Sequence, residues 1–220
     1  MTFSLIGRCP RTGQFGAAVT TSSIAVGSRV AFARPGIGAV LTQHRTDPRL
    51  GTRGIELLAS GCTAEETIAA LAASSPHHGW RQLAAMDAEG RTAHFHGAKV
   101  KPALNAAHGR DVIAIGNILA NDRVPAAMAA AFEAAEGQPL AERLLCGLEA
   151  GEAAGGEHGE VHSANLLVVE HEVFPLVDLR VDWDAAPITA LRRLWEMYAP
   201  MLEDFVIRAV DPDRAQIPPA

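Results

Sequence analysis

Residues 1–8 read MTFSLIGR, and the reading of this stretch as a strand starting at the second residue decides the rest. Apolar, β-compatible residues run over positions 3–8 with no leader, loop or cap before them. Thr2 heads that strand. A small second residue favours removal of Met1, which would leave the Thr2 hydroxyl beside a free α-amine. A hydroxyl with its own base at hand is the apparatus of covalent acyl transfer. The competing reading is plainer: Thr2 is a β-former at a chain end. Strand alternation puts Ser4 on the same face as Thr2.

The bulk numbers bound the answer. The chain has 220 residues, enough for one large core and short for two. Hydrophobic residues make up 48% and charged ones 20%, the balance of an ordinary globular protein. A net charge of -6, with no basic block, argues against nucleic acid and against a polybasic membrane patch. No apolar run reaches the roughly 20 residues of a bilayer span. The start lacks the charged and apolar regions of a signal peptide. Cys9, Cys62 and Cys146 are odd in number and far apart, so a disulfide framework is not expected. These features point to a cytoplasmic, reduced protein. Lysine occurs only at Lys99 and Lys101, so a lysine beside Thr2 looks hard to supply.

Working outward, residues 1–45 read as a β-meander: Pro10 and Gly13 punctuate a hairpin, Ser22-Ser23 breaks the second strand, and RPGIGAVLTQ adds a turn and a buried strand. Two helices follow, the first opened by Asp47-Pro48 and the second by a capping box of Thr63 and Glu66. WRQLAAMD and TAHFHG pair about a turn at Gly90, and RDVIAIGN is a further strand ending on Asn117. Two helices return at NDRVPAAMAAAFEAAEG, with Asn121 as its cap, and at QPLAERLLCGLEAG. SANLLVVE and FPLVDLRVD close the strands, and a last helix from about Ala186 carries Ile188, Leu191, Trp195, Tyr198, Leu202 and Phe205 as one apolar stripe, broken near Pro200. Residues 1–210 form one domain, and 211–220 are expected to be a flexible tail. Helix pairs between runs of antiparallel strands predict an α+β fold, a four-layer αββα sandwich.

The stretches TFSLIGRCPRTGQFGAAV, AVGSRVAFARPGIGAVLTQ, RQLAAMDAEGRTAHFHGA, GNILA and PLAERLLCGLEAGEAAGGE, taken together, resemble the domain-of-unknown-function-1028 family, a group similar to N-terminal-nucleophile (Ntn) hydrolases. The resemblance implies the Ntn αββα fold, with the first residue of the mature chain as nucleophile and its α-amine as base. It says nothing of substrate. Many relatives carry SK where this chain has Ser22-Ser23, and no lysine stands where the proteasome-like pattern has one.

Other residues are candidates around that centre. Ser4, Ser22 and Ser23 lie on or after strands that pair at Thr2; consecutive serines are also ordinary turn residues. Asn117 can donate an amide hydrogen to an oxyanion or serve as turn chemistry. Gln43, His44, Arg45 and Asp47 leave the AVLTQ strand at the same mouth and are read as substrate-binding. Arg34, Arg45, Arg49 and Arg53 cluster there, and guanidinium binds carboxylate in a two-pronged way, so a carboxylate-bearing small substrate is the expectation; solvated helix charges are the alternative. Asp178 and Arg180 alternate on one strand face as a surface pair. His94-x-His96 and His158-x-x-x-His162 have metal-like spacings, but no H-E-x-x-H occurs, so neither metal nor cofactor is expected. The glycine-rich AAGGEHGE lacks a phosphate-loop ending. The function expected is an Ntn amidohydrolase cleaving the C–N bond of a small linear amide, with Thr2 attacking. The alternative is a catalytically silent Ntn-fold module that binds a small polar metabolite. Trp195, Tyr198 and Phe205 offer more apolar surface than one sandwich covers, which predicts a homodimer or larger.

Overall fold

The first strand, β1 (Thr2–Cys9), lies inside a sheet with neighbours on both sides. The computed structural model describes residues 1–215. β2 (Gln14–Thr21) returns antiparallel to β1. Residues 22–30 then carry the chain out of this sheet, so the opening 45 residues are not one meander but two hairpins in different sheets. β3 (Ala31–Arg34) and β4 (Gly38–His44) start the second sheet, which β5 (Arg81–Asp87) and β6 (Thr92–His96) complete in the order β3-β4-β5-β6. β7 (Leu104–Gly109), β8 (Val112–Asn117), β9 (Ser163–Val169) and β10 (Val177–Val181) complete the first, in the order β10-β9-β2-β1-β8-β7. Every adjacent pair is antiparallel. β7 is absent from the sequence reading because LNAAHG is a half-exposed edge strand with no β-branched residue.

Helices form where the caps were read. α1 (Pro48–Ala59) starts on Asp47, whose carboxylate accepts from the Arg49 amide, with Pro48 in the first turn. α2 (Ala64–Ser74) carries the complete Thr63–Glu66 capping box. α3 (Val124–Ala134) begins after Arg123, so Asn121 is not its cap; the Asn121 amide instead turns the chain and donates to Ala154 O. α4 is Leu140–Ala153. The last stripe is two helices, α5 (Pro187–Tyr198) and α6 (Leu202–Val210), joined through a 3-10 turn at Pro200, which lacks the N–H a continuous helix needs. Of the expected tail, residues 212–214 form a 3-10 turn and 216–220 lie outside the described residues.

Alternation along β1 sorts its side chains into two cores. Phe3 and Leu5 pack with Met128, Phe132, Leu144 and Leu148 of α3 and α4. Ile6 joins Val19 and Ile115 against Leu41, Ala84 and Met86 of the other sheet. On the far face of that second sheet, Val40 and Leu83 meet Ile55, Leu58 and Leu71 of α1 and α2. Gly7 lets α3 come close: a Cβ there would stand 2.4 Å from Phe132 Cε2.

Where the edge strands β6 and β7 meet, histidines close the side of the structure. His94 Nδ1 lies 2.9 Å from His108 Nε2, and His94 and His96 rings are 4.8 Å apart. Burial, and then His94, pushes His96 down to about 4; burial also lowers His94 and His108. A histidine whose folded pKa lies below its ordinary 6.5 binds fewer protons folded than unfolded, so its cost to stability grows as pH falls from 6.5 toward 4. The melting temperature is therefore expected to fall between pH 7 and 4.5, and His96→Leu to make that fall shallower. An unchanged slope in the variant would contradict this assignment.

Candidate functional site

One rung of the larger sheet is polar across its four inner strands: register places Thr21 opposite Ser163 and Thr2 opposite Asn117. Thr2 and Thr21 are themselves neighbours, their hydroxyl oxygens 3.1 Å apart, and both hydroxyls reach the carbonyl oxygen of Met1. The layer between the sheets thus changes character along its length. It is apolar around Ile6 and Leu41 and polar from Ser4 to Thr2.

Behind Thr2 the polar groups are tied together. Ser4 Oγ donates to Gln43 Oε1 at 2.7 Å, and Gln43 Nε2 donates to Gln82 Oε1 at 2.6 Å. Asn117 Nδ2 donates to the same Gln82 oxygen at 2.8 Å, and Gln82 Nε2 donates to Gly116 O at 2.8 Å. All four side chains are fully buried, and Asn117 Oδ1 has no partner. This chain pins both sheets at the site, because a buried amide left unpaired costs about 1–3 kcal/mol.

In front of Thr2 lies a cavity of about 400 Å3. Thr21, Ser22 and Ser23 form one wall, and His44, Arg45 and Thr46 another. Arg29 and Arg81 also line it, and among the described residues no acidic side chain does. Of the residues expected at the site, Thr2, Ser22, Ser23, His44 and Arg45 line this cavity, whereas Ser4, Gln43 and Asn117 stand behind it. Asp47 caps α1, accepts from Arg49, and forms an ion pair with Arg81 at 3.6 Å. Of the four clustered arginines only Arg45 reaches the cavity; Arg34, Arg49 and Arg53 point to solvent. Asp178 and Arg180 form the expected surface pair.

Arg81 is 9% exposed, donates to Arg45 O, and keeps a buried Nε without a partner. Arg29 is held by Ile24 O, Ala25 O and Ser23 Oγ. His44 Nδ1 lies 2.9 Å from Trp80 O; a carbonyl only accepts, so Nδ1 carries the proton and Nε2 is left as an acceptor. Burial keeps His44 below its ordinary pKa despite that bond, and the α-amine, Arg45 and Lys101 push the same way, so it is neutral at pH 7. Its φ of 71°, with 52° for Ile118, places two non-glycine residues in the left-handed region beside a second cavity of about 160 Å3. Lys101 lines that second cavity with Met1 and His44, so a lysine does stand near the chain start, contrary to the sequence reading.

Sequence reasoning missed Thr21, Arg29, Arg81, Gln82, Lys101 and Glu157. Thr21 had a signal, since the hairpin at Pro10–Gly13 sets it across from Thr2. The others come from remote segments with no local motif. Among the described residues no group of three or more His, Cys, Asp or Glu is arranged to hold a metal ion, and no helix is long and apolar enough to cross a membrane.

Replacing Gln82 by Leu strands the Gln43 amide, the Asn117 amide and the Gly116 carbonyl. Three buried unpaired groups are expected to cost about 3 kcal/mol or more, or about 6 °C in melting temperature at this chain length. Calorimetry checks it; a loss under about 1 kcal/mol would show that the network is not holding the sheets.

The family model described as a family of unknown function, DUF1028, matches residues 2–191. A crystal structure of protein SPO2555 from Silicibacter pomeroyi, of the same family model, is 31% identical, covers 90% of this chain and 89% of its own, and superposes with a TM-score of 0.83. More distant are Anbu (ancestral beta-subunit) from Yersinia bercovieri, 11% identical at a TM-score of 0.41, covering 91% of this chain and 96% of its own, and the Anbu Gly-1 mutant from Hyphomicrobium sp. strain MC1, 10% identical at 0.44 with the same coverage. No curated protein matches. With a family model spanning most of its length, this chain belongs to the DUF1028 family.

Proposed function

We propose that the protein is an N-terminal-nucleophile amidohydrolase of the cytoplasm, built on the four-layer αββα arrangement, that cleaves the C–N bond of a small linear amide. The observation that carries this reading is the convergence of the Thr2 and Thr21 hydroxyls on the Met1 carbonyl at the edge of a cationic cavity. Removal of Met1 frees the Thr2 α-amine there. Burial already holds the Met1 amine below 8.0 although Glu157 raises it, with Arg45 pushing the same way as burial, which is the direction a general base at the chain start needs.

Thr2 Oγ then attacks the amide carbon while the α-amine takes the hydroxyl proton. A C–O bond forms, and the oxyanion takes hydrogen bonds from Thr21 Oγ and from an Asn117 amide or backbone donor. Collapse breaks the C–N bond, and the leaving nitrogen receives the proton from the α-ammonium. Water attacks the ester, its proton passing to the α-amine, and releases a carboxylic acid and free Thr2. Gln43, behind the site, with His44, Arg45 and Asp47 on its outer side, shapes the substrate end; Arg45, Arg29 and Arg81 favour a substrate whose leaving half bears a carboxylate.

One observation favours the silent binding module: the Asn117 amide donor is spent on Gln82, so it would have to turn to serve an oxyanion. Intact mass of protein from its own cytoplasm separates the two. A mass short by one methionine residue, linear-amide turnover that Thr2→Ala lowers by about a thousandfold or more, and acidic amides preferred in an Arg45-dependent manner are the expected results. Full retention of Met1 would remove the nucleophile and leave the module.

We also propose assembly as a homodimer or larger through the C-terminal helices. Met197, Met201 and Val210 are 71%, 44% and 52% exposed there, apolar surface that a monomer would leave in water. Light scattering at micromolar concentration is expected to give at least twice the chain mass, and a monomeric mass would refute it.

A further inference from the structure

A third cavity, of about 220 Å3, opens on the opposite face of β1, where Phe3 rather than Thr2 points. Glu152, Glu157 and Glu160 line it, so its charge is opposite to that of the cavity in front of Thr2. Glu157 is 6% exposed; Ser22 lies close, yet neither carboxyl oxygen closes a hydrogen bond. A buried carboxyl in that state is costly unless something cationic meets it. Its backbone is firmly placed: Glu157 bridges Leu119, the His158 amide donates to Ile118 O at 3.0 Å, and the Ala120 amide donates to Gly156 O at 3.0 Å. Gly155 permits this approach, with φ of 120° and room for a Cβ only 2.8 Å from Asn121 Nδ2.

Glu157 and the chain's own amine act on one another across the head of β1 without closing an ion pair. Burial raises the carboxyl to about 8 while the Met1 ammonium pulls it back, and Glu157 in turn supports the ammonium against burial. The Met1 side chain runs along the same loop, 3.6 Å from where a Gly159 Cβ would lie. Met1 is therefore held as an aminoacyl group: carbonyl oxygen on the hydroxyls of Thr2 and Thr21, and thioether against Gly159, two residues along the loop from the unpartnered Glu157 carboxyl.

We propose that the place Met1 occupies is an aminoacyl subsite, which after removal of Met1 takes the acyl half of a substrate bearing a free amino group, with Glu157 selecting the ammonium. This rests on the reading of Thr2 as nucleophile and narrows its substrate class to amides of amino acids. With the arginines on the other side, the preferred compound is a small zwitterion, cationic at its acyl end and anionic at its leaving end.

Equilibrium binding tests the subsite apart from turnover. In a Thr2→Ala chain, whose small second residue still allows Met1 removal, calorimetric titration compares L-methioninamide with N-acetyl-L-methioninamide. The free amine is expected to bind at least tenfold more tightly, and Glu157→Gln, near-isosteric, to erase that preference while the melting curve stays that of the parent. Equal binding of the two amides with Glu157 in place, binding of neither, or a preference that survives Glu157→Gln would each overturn the subsite. Amine-selective binding in a Thr2 chain that hydrolyses no amide would refute the hydrolase reading and leave the subsite standing in a binding module.

Discussion

The period-two alternation of β1 is the constraint on which the other features depend. Because β1 sits inside its sheet, Phe3 and Leu5 are committed to the helices and Ile6 to the facing sheet, and each commitment buries apolar area worth about 1.5–3 kcal/mol per side chain. A shift of one residue would put Phe3 where Thr2 is and Thr2 among the leucines of α4. The register of β1 is thus held by hydrophobic burial at many positions, and the head of the strand is located without any contribution from the site. The position of Thr2 is thereby inherited from the core.

Polarity along the inter-sheet layer follows from the same geometry. Core packing alone would continue the layer with leucine and isoleucine to its end. Here it ends instead in Ser4, Gln43, Gln82 and Asn117, which satisfy one another almost completely. Such a network stabilises little in net terms, since each bond replaces one made to water, but it penalises any rearrangement that separates its members. It holds the two sheets in one relation directly behind Thr2.

Electrostatics around the chain start divide by face. Arginines and a neutral histidine stand on the Thr2 side and carboxyls on the Phe3 side, so the amine lies between opposite fields. Arg45 lowers its proton affinity and Glu157 raises it, while burial, the largest influence, keeps it below its ordinary value. Left-handed backbone at His44 and Ile118 is stored strain next to that amine, and the paired sheets and the bridge at Leu119 are what hold it in place.

The sequence by itself determined the local elements: the strand at Thr2, the hairpin at Gly13, the capping box at Thr63, the break at Pro200. Each depends on interactions within a few residues, which alternation, caps and missing donors report directly. It also determined that Thr2 and Ser4 share a face. β7 escaped because an edge strand half in water needs no apolar pattern, and the single meander failed because nothing local marks residues 22–30 as a crossing between sheets. Only the tertiary structure decided which distant groups gather around the chain start. Arg81 arrives from β5, Arg29 from the crossing, Lys101 from the segment before β7, and Glu157 from a glycine-rich loop 155 residues along the chain from Thr2. Their convergence is set by how two sheets pack and where a loop bridges, and those distances are encoded in core shape rather than in any neighbouring residue.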